Sequence, residues 1–140
     1  LAHLGLTALS QSQPDVPSII RNATLMPEAQ NELAVALNKT GLIHSMLDTS
    51  DSLLQSLEIL CTNNNCGAKI YLEQIPSSDI FQIMCERLKL YPLDVHLNGG
   101  EDFGLLLTAP ATLLTAFPRL PIYQIGEITT QNLLVQTFVL

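Results

Sequence analysis

Two short acidic segments hold the residue types best suited to chemistry. The first is Asp48-Thr49-Ser50-Asp51, at the end of the apolar run LIHSML and the start of a helical pattern. The end of a buried strand running into a helix N-terminus is a usual place for ligands on α/β folds. Free N–H groups and the helix dipole favour a phosphate there, and the Ser50 hydroxyl adds a donor. Asp48 and Asp51 supply the hard oxygens that Mg²⁺ takes, usually through one or two carboxylates together with phosphate oxygens. The same four residues could instead serve only as a helix cap, with Ser50 or Asp51 in that role, worth about 1 kcal/mol. Capping alone leaves the second aspartate, at the strand end, without a purpose.

The second segment is Asn98-Gly99-Gly100-Glu101-Asp102-Phe103. Paired glycines let a backbone approach a ligand closely or take positive φ. Adjacent acids before a strand point to opposite faces, so one can reach a ligand while the other holds the loop. A solvated turn before a buried strand is the plainer alternative.

Several elements must position these residues. Residues 1–10 read as the exposed end of a helix, and 11–24, with two prolines, as a loop. A helix starts near Pro27 and stops at Gly41. Residues 42–47 form a buried strand, and 51–64 a helix with Leu53, Leu54, Leu57, Leu60 and Cys61 as its apolar stripe. Residues 68–75 alternate as a strand that Pro76 ends, and 78–90 form a helix. Asn98-Gly99-Gly100 is a flexible turn, 103–109 a strand and 111–117 a short helix. IYQIGEITT and LLVQTFVL close the chain as an antiparallel pair. The expected class is α/β (α+β): one domain over 1–140, a mixed sheet of about five strands covered by helices.

Composition narrows the function. The 140 residues carry a formal charge of −7 with only six Lys and Arg, which disfavours nucleic acid. A phosphate ligand on so acidic a chain calls for bridging metal ions. Apolar residues make up 47%, yet no run approaches the roughly 18 residues of a membrane span. Charged residues are only 14%, which leaves room for a domain or subunit interface. Cys61, Cys66 and Cys85 show no CxxC spacing, so they read as reduced thiols of a cytoplasmic protein. His3, His44 and His96 are scattered and read as surface or strand histidines. The opening LAHLGLTALS resembles the middle of a helix, so a longer polypeptide is expected.

Taken together, HSMLDTSDSLLQSL, CGAKIYLEQIP, GGEDFGLLLTAP and IGEITT resemble the C-terminal domain of the thiamine-monophosphate kinases, within the aminoimidazole ribonucleotide (AIR) synthetase-related superfamily. That family shows D-x-S-D-G-L, C-G-A-x-I, G-G-E-D-Y-E-L and I-G-x-I in this order. The resemblance runs from about Pro27 to Thr130. It implies ATP- and Mg²⁺-dependent phosphorylation of thiamine monophosphate to the diphosphate. Asp48 and Asp51 then resemble Mg²⁺ ligands, Ser50 a contact to ATP phosphate, and Glu101 a substrate contact. The resemblance also implies an N-terminal domain, absent here, that carries most metal ligands, much of the nucleotide site and the homodimer contact. The fragment alone is then inactive. Three departures stand out: Ser52 replaces the family glycine, Phe103-Gly104 replaces Tyr-Glu, and Leu25-Met26 carries no basic residue before Pro27. They leave open a diverged enzyme of the superfamily, or a non-catalytic domain for ligand binding or assembly.

Overall fold

A computed structural model describes residues 1–130. It contains α1 (Ala2–Ser10), α2 (Ser18–Leu25), α3 (Asn31–Lys39), β1 (Ser45–Asp48), α4 (Leu53–Asn64), β2 (Gly67–Ile70), a 3₁₀ turn at Leu72–Gln74, α5 (Asp79–Leu88), α6 (Pro92–Asn98), β3 (Leu105–Thr108), α7 (Thr112–Ala116) and β4 (Gly126–Thr129). The chain folds as two compact units. The first comprises 1–29, 49–55 and 77–104; the second comprises 30–48, 56–76 and the described residues from 105.

The first unit is helical. Its core joins Leu4 and Ala8 of α1, Val16, Ile20 of α2, Phe81, Met84, Cys85 and Leu88 of α5, and Val95 of α6. The α5 set recurs at i, i+3, i+4 and i+7, which places one apolar stripe on the core side. Ser78 caps α5: its side chain accepts from Phe81 N at 3.3 Å. The helix ends with Lys89 left-handed at φ 57°. Leu90 N then donates to Cys85 O and Lys89 N to Glu86 O, satisfying the last carbonyls. The Arg87 guanidinium donates to Asp15 O and Pro14 O, tying α5 to the turn before α2.

The second unit holds the strands. β1 pairs antiparallel with β3, from Ser45 opposite Thr108 to Asp48 opposite Leu105. β2 pairs antiparallel with β4, from Gly67 opposite Thr129 to Ile70 opposite Gly126. Leu57, Leu60 and Cys61 of α4 are buried, as are Leu37, Ala68, Ile70, Leu106 and Leu113.

Three expectations require correction, and one helix was not anticipated. Among the described residues the strands form two separate two-stranded sheets rather than one mixed sheet of about five. Each strand is only four residues long. β1 ends where the chain turns toward α4, and the 3₁₀ turn ahead of Pro76 follows β2 almost at once. The last expected strand, LLVQTFVL, lies outside the described residues. The segment 11–24 is a loop only to Pro17; α2 begins at Ser18 and buries Ile20 alone, so one apolar anchor among polar residues left little periodicity to read. The stretch after Tyr91 is helical, with Pro92 at the first helical position, where a missing N–H costs nothing. Finally, α1 is a helix as expected but not an exposed one, since Ala2, Leu4, Gly5 and Ala8 are buried.

Candidate functional site

Asp48 is the last residue of β1 and belongs to the second unit. Its backbone is fixed from two directions. It sits opposite Leu105 in the ladder, and its carbonyl accepts the Ser56 hydroxyl of α4 at 3.0 Å. Ser56 is buried, so this bond supplies a partner for a hydroxyl removed from water. The Asp48 residue itself is exposed. A backbone fixed from two directions therefore carries an exposed aspartate.

Thr49 to Gln55 belong to the first unit, together with the Gly-Gly-Glu-Asp loop. Two backbone bonds clamp the loop to this segment: Thr49 N donates to Gly104 O at 3.0 Å, and Glu101 N donates to Ser50 O at 2.5 Å. The approach is so close that a Cβ on Gly100 would lie 2.7 Å from Ser50 O and closer still to Asp51 O. No side chain fits there. Glu101 and Phe103 are both held in the left-handed region, at φ 65° and 47°. Such conformations cost non-glycine residues on the order of 1–3 kcal/mol and persist where surrounding bonds impose them. The clamp thus brings Ser50, Asp51 and Glu101 together in one unit, with Asp51 and Glu101 both exposed.

Asp102 turns away from this role. Its Oδ1 accepts from Ala2 N at 2.9 Å and from Leu1 N at 2.6 Å. It caps α1 and pins the loop to that helix. Its partners lie at the other end of the sequence, so no local signal marks them. Thr49 was also missed as a structural residue; its part in the clamp depends on a contact with the distant Gly104.

The helix cap is Ser52, not Ser50 or Asp51. Its Oγ accepts from Gln55 N at 3.1 Å, and the residue is only 7% exposed. The departure from the family glycine is thereby explained: the serine satisfies one of the orphan amides of the first turn, worth about 1 kcal/mol over a residue without an acceptor. With Ser52 capping, Ser50 and Asp51 need not serve that purpose. At Gly104, a Cβ would come 3.1 Å from Thr49 Oγ1. A side chain there requires a small shift of that hydroxyl.

The remaining candidates separate clearly. His44 is exposed on the approach to β1, its N–H donating to Thr108 O at 2.9 Å. His96 is neither a surface nor a strand histidine: it lies in α6, half-buried, stacked on Phe81 with ring centroids 4.1 Å apart. Burial lowers its pKa, which favours the neutral imidazole. Cys61 and Cys85 are buried, Cys66 is half-buried, and all three are free thiols.

Among the described residues no three His, Cys, Asp or Glu side chains gather into a complete metal cage. Mg²⁺ does not need one, because phosphate oxygens and water complete its octahedron around one or two carboxylates. Asp48 and Asp51, each exposed in its own unit, are of the carboxylate type that this mode uses.

Comparisons with known proteins bear on the family and the fold. The family profile of AIR synthase related protein, C-terminal domain, matches residues 5–136. The thiamine-monophosphate kinase of Leptospira interrogans is 28% identical over 134 residues, 93% of this chain and 41% of the relative. The crystal structure of thiamine monophosphate kinase from Aquifex aeolicus superposes with TM-score 0.82 at 24% identity, covering 91% of this chain and 44% of that one. The complex of AaThiL with AMPPCP and TMP gives the same TM-score and identity, covering 93% of this chain and 42% of that one. The chain therefore spans less than half the length of the proteins it matches, with the mixed α/β fold in common. It belongs to the AIR synthase related family, as a C-terminal domain of the thiamine-monophosphate kinase kind.

Proposed function

We propose that this chain is the C-terminal part of a kinase that phosphorylates thiamine monophosphate to thiamine diphosphate, using ATP and Mg²⁺. The observation that carries the reading is the Glu101 N to Ser50 O bond. It fastens the Gly-Gly-Glu-Asp loop to the Asp-Thr-Ser-Asp segment, so that residues from two distant motifs serve one ligand region. AaThiL, with AMPPCP and TMP bound, supplies the substrate pair by analogy.

In this reading Asp48 and Asp51 each offer a carboxylate to Mg²⁺, Ser50 donates its hydroxyl to an ATP phosphate oxygen, and Glu101 contacts the substrate. When bound, Mg²⁺ neutralises the phosphate charge that an acidic chain would otherwise repel. Phosphoryl transfer needs little beyond positioning and charge neutralisation, so no nucleophilic side chain is required; the substrate phosphate attacks. The role of the residues is to hold geometry, which suits a strained loop fixed by backbone bonds. The rest of a longer chain supplies the remaining metal and nucleotide contacts and the homodimer interface, and the 140 residues are inactive alone. A cytoplasmic setting suits a soluble substrate and three free thiols. No described helix is long and apolar enough to cross a membrane.

The second reading is a diverged superfamily enzyme or a non-catalytic ligand-binding domain. Gly104, where the family carries a carboxylate, favours it. The test is an ATP- and Mg²⁺-dependent thiamine monophosphate kinase assay on a chain extended to full family length. Asp48→Asn and Glu101→Gln are each expected to lower turnover on the order of a hundredfold. A folded protein that binds MgATP without converting thiamine monophosphate moves the assignment to the second reading.

A further inference from the structure

The C-terminus of α4 carries a thiol pair that the proposed kinase chemistry does not use. The helix ends in Cys61-Thr-Asn-Asn-Asn-Cys66. Asn65 is left-handed at φ 54°. Cys66 N donates back to Cys61 O at 3.1 Å, and Asn65 N to Thr62 O at 3.4 Å. This is the paired closure that lets a left-handed residue end a helix. It also fixes the distance between the two cysteines. With standard bond lengths, a bond of this length allows the two Cα atoms to be about 7 Å apart if everything were in line. The bend at each atom draws them into the roughly 4.4–6.8 Å that a disulfide spans.

We propose that Cys61 and Cys66 form a reversible intrachain disulfide, making the α4 C-terminus a thiol-modification site for small-molecule disulfides. The inference is independent of the kinase reading. The two thiols differ in a way that orders the steps. Cys61 is 5% exposed, whereas Cys66 is half-buried. Burial, and then the neighbouring Cys66, raise the Cys61 pKa and keep it a thiol. Cys66 therefore reacts first. Its thiolate attacks one sulfur of the reagent, the reagent's S–S bond breaks, and the departing thiolate takes up a proton. The mixed disulfide on Cys66 is then attacked by Cys61, which gives its proton to solvent, and the second reagent thiol leaves. Two protein thiols are oxidised to one disulfide while one small disulfide is reduced to two thiols. The product ties the buried face of α4 to the residue that leads into β2. Cys85, fully buried in the first unit, has no part in the reaction and serves as an internal control.

The test is to equilibrate the reduced 140-residue chain in mixtures of oxidised and reduced glutathione under native conditions. Thiols are then trapped by alkylation and read by peptide mass spectrometry. The expected product has lost two hydrogens, links the peptides of Cys61 and Cys66, and leaves only Cys85 alkylated. Dithiothreitol restores all three thiols. Because the turn already has the right geometry, the oxidised chain should melt roughly 5 °C above the reduced one. Cys61→Ser should stop at glutathione on Cys66, and Cys85→Ser should oxidise like the parent. A parent chain that also stops at the mixed disulfide, a crosslink to Cys85, or an oxidised form that melts below the reduced one would each overturn the proposal.

Discussion

Replacing Gly100 with alanine tests whether the clamp between the Gly-Gly-Glu-Asp loop and the Asp-Thr-Ser-Asp segment is real. The new methyl would meet Ser50 O at 2.7 Å and the Asp51 carbonyl carbon at 2.9 Å, with Asp51 O nearer still. Comfortable contacts lie at about 3.5 Å or more, so the loop must retreat by on the order of 1 Å. These neighbours are backbone atoms, which cannot swing aside as a side chain would. The Glu101 N to Ser50 O bond, at 2.5 Å and one residue away, cannot survive that retreat. Forced overpacking costs about 1–3 kcal/mol, and the lost bond adds about 1 kcal/mol. A total of about 3 kcal/mol lowers the melting temperature of a chain of this size by roughly 10 °C. Gly41→Ala is the matched control. Its φ is +69° with nothing within 4 Å of the new methyl, so only backbone strain is added, about 1 kcal/mol. The assay is thermal unfolding of both variants, with hydrogen exchange followed at the Glu101 amide. Gly100→Ala should melt well below Gly41→Ala and lose protection at Glu101. Equal melting of the two variants, with Glu101 still protected, would refute the clamp.

The other expectations concern single bonds. Asp102→Ala removes the acceptor for Ala2 N and should cost about 1 kcal/mol in denaturant unfolding; Asp102→Asn keeps an acceptor and should retain most of the stability, whereas an equal loss in both variants would assign the effect to charge instead. Ser52→Ala should cost about 1 kcal/mol, while Ser52→Gly, which restores the family residue, should cost only a few tenths more than nothing; chemical denaturation of the two variants checks the order. Burial lowers the His96 pKa from the ordinary histidine value of about 6.5, so between its folded pKa and that value the unfolded chain binds more protons. Its contribution is then fully present above pH 6.5 and is lost as pH falls through that window toward the folded value. Melting temperatures measured across that range should fall less steeply for His96→Gln than for the parent, and parallel profiles would count against the buried, neutral imidazole.

Much of this design is written locally. The α5 stripe of Phe81, Met84, Cys85 and Leu88 sits at helical spacing, and Ser78 precedes it as a cap. LIHSML runs up to Asp48, the last residue of β1, and Gly41 falls just past the end of α3. The two acidic motifs are contiguous, so their residue types and their likeness to a family are visible without any fold. All of these signals span less than about two helical turns, the range over which backbone sterics and hydrogen bonding act.

Tertiary structure decided what depends on distant partners. Ser52 was as plausible a cap as Ser50 or Asp51 by type, and only the path of the chain directs its oxygen to Gln55 N. Helices α2 and α6 were hidden because each buries so few side chains, Ile20 in one and Val95 and Leu97 in the other. Strand partners followed long-range contacts, β1 with β3 and β2 with β4, rather than neighbours in sequence. Asp102 and Glu101 are adjacent acids with the same local signal. One became a cap for α1 and the other an exposed residue whose amide bonds Ser50 O, because the loop that carries them is pinned on one side by a helix end and on the other by a backbone carbonyl.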